Sequence, residues 1–140
     1  MAFHFQNFVA SILVLFLCFG TLTISAFEST PQSSATATYY TPPYVPSACY
    51  GYEDQGVMIA AASDAFYKNG EACGKYYQVT CVSGTNKGTP NPCLGSGTAV
   101  VKIVDHCPPN SCRGTIDLSQ EAFASIADPT AGVINVSFKR

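Results

Sequence analysis

The sequence predicts a small, mainly β domain held together by disulfides, with about six short strands and one or two helices. Two observations predict this fold class. Several short segments alternate apolar and polar residues with a period of two, which is typical of strands with one buried face. Six cysteines also lie within positions 49–112, and an even number of cysteines in one small region indicates a disulfide framework.

The predicted strands span residues 36–40, 75–82, 98–104, 115–118 and 132–138, and a short apolar segment covers 57–62. In the second of these strands, Tyr77, Val79 and Cys81 share one face. The strand at 98–104 is almost continuously apolar, which predicts a central strand buried on both sides. A small closed barrel is the economical arrangement because closure removes exposed strand edges. Strand periodicity alone also allows a sandwich.

Two helices are predicted between these strands. Ser63 is expected to cap one turn that runs through Phe66 and ends at Asn69-Gly70. A second helix is expected to begin after Ser119 as its N-cap and to end before Pro129. This helix carries an apolar stripe that should face the core, made of Ala122, Phe123 and Ile126.

The N-terminal segment has the features of a signal peptide. Residues 1–27 contain no Asp, Glu, Lys or Arg, and residues 8–19 are almost wholly apolar. That apolar run is shorter than the roughly 20 residues that span a bilayer. We expect a signal peptide over 1–26, a flexible lead-in over 27–35 and a folded domain over 36–140. An uncleaved signal anchor is the alternative, since no Lys or Arg precedes the apolar core.

Cysteine and charge usage agree with export to the extracellular space, as an apoplastic or cell-wall protein without membrane insertion after cleavage. Of seven cysteines, Cys18 lies in the leader, and the other six predict three disulfides rather than a metal or cofactor site. A zinc site at Cys107, Cys112 and His106 is the competing interpretation. The net charge of −2, without a basic run, argues against a nucleic-acid partner. We expect a monomer.

Several stretches resemble the first domain of expansins and the related family-45 endoglucanase-like domain. They cover nearly all of residues 36–140 in the same order. These stretches are ATYY at 37–40, ACYG at 48–51, NGEACG at 69–74 with YQVTC at 77–81, VDHCPP at 104–109 with IDLS at 116–119, and AGVINV at 131–136.

The resemblance implies a six-stranded double-psi β-barrel, the fold that is also found in barwin-type defence proteins. It further implies three disulfide pairs. These pairs are Cys49 with Cys73, Cys81 with Cys93, and Cys107 with Cys112.

The chain also resembles the plant natriuretic peptides. Expansins continue into a second, carbohydrate-binding domain, whereas this chain ends at Arg140. The short form implies an extracellular signal in water and solute homeostasis that acts through a cell-surface receptor, with residues 43–77 in the part credited with signalling. A module that binds or loosens wall polysaccharide and a barwin-like defence protein are the alternatives.

The resemblance argues against glycoside hydrolysis, which normally needs two carboxylates. Asp117 occupies the position of the family's general acid. Hydrolytic relatives carry a second aspartate after the aromatic pair of the first strand, where this chain has Thr41. We therefore expect no hydrolase, with Asp117 as a lone acid where the hydrolytic relatives have a pair. Lytic transglycosylases on a similar barrel use a single aspartate, which leaves a single-aspartate cleavage open.

Asp105 is the second vestigial acid candidate. It follows a predicted buried strand, and its carboxylate could line the same groove as Asp117. The alternative, which we favour, is that Asp105 accepts backbone N–H bonds from the turn at 108–110.

Polysaccharide binding without cleavage has six candidate residues. Tyrosine offers sugars an apolar face and a hydroxyl, and the chain has no Trp. Since adjacent strand positions face opposite ways, either Tyr39 or Tyr40 should pack in the core. The candidates are Tyr40, Tyr44, Tyr50, Tyr52, Asp105 and Asp117.

Asn135, Val136 and Ser137 form an N-glycosylation sequon. Asn135 is predicted on the outward face of the last strand, so it is a candidate glycan acceptor. Acceptors more commonly lie in loops, and the sequence leaves its occupancy open.

Overall fold

The structure is a computed structural model that describes residues 33–140. The expected signal peptide, its cleavage near Ala26 and most of the lead-in lie outside the described residues. Within residues 33–140, no helix is both long and apolar enough to span a membrane.

Six strands and two short helices make up the domain, which confirms the mainly β fold class. Their order is β1 (Ser33–Tyr40), β2 (Ile59–Ser63), α1 (Asp64–Tyr67), a 3-10 turn (Lys68–Gly70), β3 (Tyr76–Gly84), β4 (Thr98–Cys107), β5 (Ile116–Ser119), α2 (Gln120–Ile126), a second 3-10 turn (Pro129–Ala131) and β6 (Ile134–Lys139).

The strands close into a barrel in the order β1-β5-β2-β4-β3-β6. β1 runs parallel to β5, and β2 runs parallel to β4, while the other neighbours are antiparallel. Each of these six strands therefore has a partner on both sides, and none presents a free edge. The barrel is confirmed over the sandwich.

Alternation along the strands fills the barrel with apolar side chains. In β1, Ala37 is fully buried and Tyr39 packs against the core, whereas Thr36 and Thr38 point to the other face. Phe123 of α2 is fully buried and meets the Tyr39 ring at a centroid distance of 4.8 Å. Burying a side chain of that size stabilises the fold by about 1.5–3 kcal/mol.

Two strands, β1 and β4, are three residues longer than predicted, and the other strand boundaries shift by one or two residues. β1 begins at Ser33, so Ser33 to Ala35 pair with β6 and are not lead-in. β4 extends to Cys107, which includes Asp105 in the strand. The prediction that this strand is buried on both sides is wrong, because Val100 is 55% exposed. At Val100 the outer face of β4 is open to solvent, unlike the strands of a parallel sheet between helices.

The two helices begin directly after the predicted serines, but only one of these serines caps its helix with a side-chain hydrogen bond. Ser119 Oγ accepts a hydrogen bond from the backbone N–H of Ala122 at 3.1 Å. Ser63 stands at the N-cap of α1 without a side-chain hydrogen bond to the helix. The stripe on α2 is buried as predicted, and the helix ends at Ile126, before Pro129.

Three disulfides have the expected pairs, Cys49–Cys73, Cys81–Cys93 and Cys107–Cys112, with sequence separations of 24, 12 and 5. The first ties the loop after β1 to the turn before β3. The second closes the Gly- and Pro-rich loop between β3 and β4. In the chain-entropy model, each of the two longer loops contributes about 3 kcal/mol. Since Cys107 and Cys112 are bonded to each other, their thiols are not available to the competing zinc site.

Ser119→Ala should destabilise the domain by about 1–3 kcal/mol. Besides capping α2, the fully buried Ser119 hydroxyl donates to the carbonyl of Val57, so the substitution removes a partner from the buried N–H of Ala122 and from the Val57 carbonyl. The free energy of unfolding from urea titration with intact disulfides measures this.

Ser125→Ala is the matched control on the same helix. Ser125 is exposed, and its hydroxyl donates only to the carbonyl of Ala122. We expect its effect to stay within about 0.5 kcal/mol. Equal losses in the two variants would show that the Ser119 hydroxyl has no special role.

Candidate functional site

Two aspartates flank the same residue of β2. Ala61 pairs with Asp105 of β4 and with Asp117 of β5. A register shift between Ala60 and Ala61 skips Val104, so Asp105 comes opposite Ala61. Neighbouring strands are about 4.8 Å apart, which separates the two aspartate Cα atoms by about 10 Å across β2. The barrel thus brings both carboxylates to one face.

Asp117 is held by a residue of the parallel neighbour strand. Thr38 pairs with Asp117 in the β1–β5 register, and its hydroxyl donates to Asp117 Oδ1 at 2.6 Å. Burial raises the pKa of the Asp117 carboxyl, and the hydrogen bond from Thr38 opposes that rise only in part. Asp117 is therefore a half-buried acid that holds its proton more readily than an exposed aspartate.

Tyr40 and Tyr44 form the aromatic wall of the site. Their rings meet edge to face at 5.1 Å, the geometry that the ring quadrupole favours. The Tyr44 hydroxyl donates to Glu121 Oε2 at 2.5 Å and accepts from the backbone N–H of Gln120 at 3.3 Å. Partial burial and the Glu121 hydrogen bond raise the pKa of Tyr44 to about 12. The loop after β1 is thereby fastened to the first turn of α2.

The Tyr40 hydroxyl is buried and lacks a hydrogen-bond partner among the described residues. Burial, followed by the negative charges of Asp105 and Asp117, raises the pKa of Tyr40 well above its ordinary range. The phenol is therefore a neutral O–H donor close to two carboxylates. Buried hydroxyls almost always have a partner, so an unpartnered one in a site calls for an explanation.

Asp105 also has a structural role, with partners other than those we predicted. Its Oδ1 accepts the backbone N–H groups of Ala48 and His106, each at 2.8 Å. The predicted bonds from the turn at 108–110 are not the ones formed. Because β4 extends past Asp105, this side chain faces the loop after β1 instead of the turn that follows its own strand.

Asp117 shares the surroundings of Tyr40 with two further carboxylates. Asp117, Asp105 and Glu121 all act electrostatically on the Tyr40 phenol. Of these three carboxylates, Asp105 is occupied by two backbone N–H groups and Glu121 by the Tyr44 hydroxyl. The site thus has several acids with different local partners.

The remaining tyrosines lie elsewhere. Tyr39 packs in the core, as expected for one member of the Tyr39–Tyr40 pair. Tyr50 lies beneath the Lys102 ammonium, which is 4.3 Å from its ring centroid. Tyr52 is 82% exposed and has no ring contact within residues 33–140. Of the four candidate tyrosines, the structure brings only Tyr40 and Tyr44 together.

Thr38 and Glu121 were missed as site residues. Period-2 alternation puts Thr38 on the same face of β1 as Tyr40, which is a usable sequence signal. In the sequence, Glu121 is recognisable only as an acid in the first turn of a helix. Such acids interact favourably with the helix dipole in any protein, so this position alone does not indicate a site. Its contact with Tyr44 depends on where the loop after β1 lies against α2.

Asn135 is already engaged by neighbouring groups. It pairs with Thr36 of β1 and, across a bulge, with Ser83 of β3. Its Nδ2 donates to Ser83 Oγ at 2.9 Å and to the carbonyl of Gly84 at 3.1 Å. Both amide hydrogens are therefore used, and a glycan on Nδ2 would replace one of them.

The protein-family comparison matches residues 59–138 to a model described as "Lytic transglycolase". The chain is 54% identical to an "EG45-like domain containing protein" of Citrus jambhiri, over 89% of this chain and 94% of the relative. It is 48% identical to "Putative EG45-like domain containing protein 1" of Arabidopsis thaliana, over 86% of this chain and 93% of the relative. Expansin-A32 of Oryza sativa subsp. japonica is 32% identical over 81% of this chain and 48% of the expansin.

Solved structures agree with the family comparison. A Clavibacter michiganensis expansin, a d78n mutant in complex with cellohexaose, has a TM-score of 0.56 and 25% identity over 78% of this chain and 50% of the expansin. The Streptomyces papain inhibitor has a TM-score of 0.53 and 27% identity over 82% of this chain and all of the inhibitor. Together with the barrel topology, these matches confirm the double-psi β-barrel. The chain spans about half the length of the expansins it matches.

Asp117→Asn should stabilise the domain at neutral pH more than at pH 3. The folded state holds the Asp117 proton more tightly than the unfolded state, whose carboxyl titrates near 3.8. The contribution of the Asp117 carboxyl to the free energy of unfolding is therefore fully present below pH 3.8. It falls as the pH rises through the raised pKa of the folded state. Asparagine keeps the oxygen that accepts from Thr38 without the cost of burying a charge.

Urea midpoints of wild type and Asp117→Asn across pH 3–8 measure this difference. The exposed Asp54→Asn variant is the control for the general loss of one negative charge. A difference that shrinks as pH rises would contradict the raised pKa.

We expect Asn135 to carry no glycan when the chain passes through a secretory pathway. The glycan would break one of the two hydrogen bonds of Nδ2 and would stand between β1, β3 and β6. Mass spectrometry before and after peptide-N-glycosidase treatment checks this, with Asn135→Gln as the unglycosylated reference. A mass shift confined to wild type would contradict the prediction.

Proposed function

This chain belongs to the EG45-like domain-containing proteins, a family related to the expansins, and from that premise we propose that it binds cell-wall polysaccharide without hydrolysing it. In this proposal the protein is exported to the apoplast and works as a monomer. Its binding site is the face that carries Thr38, Tyr40, Tyr44 and Asp117. The three disulfides support an oxidising, extracellular compartment.

The observation that carries the proposal is the unpartnered hydroxyl of Tyr40 beside the half-buried Asp117. The Asp117 carboxylate can accept from a sugar hydroxyl, and the Tyr40 phenol can donate to the same sugar once the groups that cover its oxygen shift. The edge-to-face Tyr40–Tyr44 pair adds an apolar surface for a pyranose ring. Polar groups of both kinds next to an aromatic wall fit a carbohydrate better than a charged or wholly apolar ligand.

The relatives support the same ligand class. The Clavibacter michiganensis expansin, a structural neighbour, was solved in complex with cellohexaose. The likeness covers 78% of this chain and 50% of the expansin. A neutral β-linked glucan is accordingly the first ligand to test.

The hydrogen-bond partners of Asp105 and Glu121 favour binding without hydrolysis. An inverting hydrolase needs a free base that activates water on the far side of the sugar ring. Asp105 is occupied by two backbone N–H groups, and Glu121 by the Tyr44 hydroxyl. Thr41, at the position of the second aspartate of hydrolytic relatives, has a hydroxyl that is a poor base near neutral pH.

Receptor signalling is the second candidate function. The resemblance to plant natriuretic peptides puts the signalling part at residues 43–77, and this stretch carries exposed apolar side chains. Tyr52 is 82% exposed, Val57 47% and Met58 39%. In this second proposal these side chains form part of a surface that contacts a cell-surface receptor, as contiguous exposed apolar patches do in protein complexes.

Tyr44→Ala should lower retention on insoluble cellulose or xyloglucan by about 3- to 10-fold, since an aromatic contact contributes about 0.5–1.5 kcal/mol. Tyr52→Ala is the matched control, because Tyr52 is a more exposed tyrosine outside the proposed site. Depletion of purified protein from solution measures retention. Equal retention of wild type and Tyr44→Ala would contradict the proposed site.

The same samples test the absence of cleavage. We expect wild type to release neither reducing ends nor unsaturated or anhydro sugar products, whatever its retention. Release that disappears in Asp117→Asn would instead support an acid-catalysed cleavage of the kind named in the family model.

For signalling, we expect wall-free protoplasts to swell in response to wild type and to Asp117→Ala, but not to Tyr52→Ala. Protoplasts lack the wall, so a response there does not need polysaccharide binding. Protoplast volume under the microscope is the measurement. A response that is lost in Asp117→Ala and kept in Tyr52→Ala would argue for the glycan site instead.

A further inference from the structure

A pocket of about 710 Å³ lies on the outer face of the barrel between β1, β3 and β6. Thr36, Ser83, Thr115 and Asn135 line it, and Val82 contributes an aliphatic side chain that is 59% exposed. The pocket results from a bulge in β3, where the register with β6 shifts between Cys81 and Ser83. A bulge bends its strand and redirects side chains, and here Val82 and Ser83 are both exposed.

The pocket and the Asp117 site lie along the same strand, β1, two residues apart. Thr36 and Thr38 share the outer face of β1, and Thr38 pairs with Asp117. On the neighbouring chain segment, the backbone N–H of Thr115 donates to the carbonyl of Thr36 at 2.9 Å. Along β1, the Thr36–Thr115 pair thus lies two residues, or about 7 Å, from the Thr38–Asp117 pair. That step is comparable to the length of one hexose unit.

The side chains that line the pocket indicate which class of ligand it can bind. It contains no charged side chain, so phosphate or another anion would find no counter-charge there. The strands around the pocket are paired on both sides, so an extended peptide has no strand edge to join. Hydroxyl groups that both donate and accept, the amide oxygen of Asn135 as an acceptor, and the exposed aliphatic side chain of Val82 match the hydroxyls and the apolar face of a sugar.

We propose that this pocket is a second subsite that holds a neutral polysaccharide chain running on from the Asp117 site. The proposal rests on the glycan binding proposed above and extends it from a short site to a longer path. Thr36, Ser83 and Asn135 supply hydrogen bonds, and Val82 supplies the apolar contact. The hydrogen bond from Asn135 Nδ2 to Ser83 Oγ keeps these two side chains oriented towards the pocket.

The test compares cellotriose with cellohexaose, measured by isothermal titration calorimetry on the full disulfide-bonded domain. The variant Thr36→Val with Ser83→Ala removes two hydroxyls with little change of shape. We expect it to weaken cellohexaose binding by about 3- to 10-fold and to leave cellotriose binding at the Asp117 end unchanged. Thr98→Val, on the outer face of β4 and outside the pocket lining, is the matched control and should bind both sugars as wild type does.

The outcomes separate the two proposals. Unchanged cellohexaose affinity in the double variant would overturn the subsite while the Asp117 site stands. An equal loss for cellotriose would overturn the continuity of the two sites. Failure of wild type to bind either sugar would overturn the proposed glycan binding and the subsite with it. Equal weakening of hexagalacturonate binding would overturn the assignment to a neutral chain.

A measurement on the wild-type protein tests the subsite even if the double variant does not fold. Cellohexaose should shift the backbone amide NMR signals of Val82, Ser83 and Asn135, and cellotriose should not. Shifts confined to residues around Asp117 with both sugars would overturn the subsite.

Discussion

The pairing of β1 with β5 is the constraint on which the barrel and its site depend. β1 lies between β5 and β6, so the first strand of the described residues pairs with the last two strands. This pairing closes the barrel and removes the edges that an open sheet of these strands would expose. It also fixes a parallel register in which Thr38 stands opposite Asp117. A slip of one residue would turn Thr38 into the core and Tyr39 out of it.

The site is held by this strand pairing, and several of its polar groups are partly buried. Asp117 lies between the fully buried Ile116 and Leu118 in β5, and burial of its own carboxyl raises its pKa. The Tyr44–Glu121 hydrogen bond joins the Pro-rich loop after β1 to α2, whose cap is the buried Ser119. The loop that carries the aromatic wall is thus held at a helix terminus as well as at the Cys49–Cys73 disulfide.

Two register shifts determine what the outer face presents. The shift at β2–β4 skips Val104 and brings Asp105 opposite Ala61, beside Asp117. The shift at β3–β6 leaves Val82 as the extra residue and opens the pocket next to Thr36. Regular pairing would remove both features, since each depends on one residue outside the period-2 pattern. Such irregularities commonly mark the positions where a β protein binds its ligands.

The sequence by itself determined the mainly β class, the burial of Val79 and Cys81 on one face of β3, and the helix capped by Ser119. These features follow from local rules of alternation and capping, in which each residue acts through near neighbours in the chain. The disulfide pairs and the barrel type came from the resemblance, carried by motifs such as VDHCPP and IDLS. Only the tertiary structure decided that Asp105 binds Ala48, that Glu121 meets Tyr44, and that Tyr50 and Tyr52 lie away from Tyr40. The physical reason is that these contacts join segments far apart in sequence, and bulges and loop paths set their register without leaving a periodic signal.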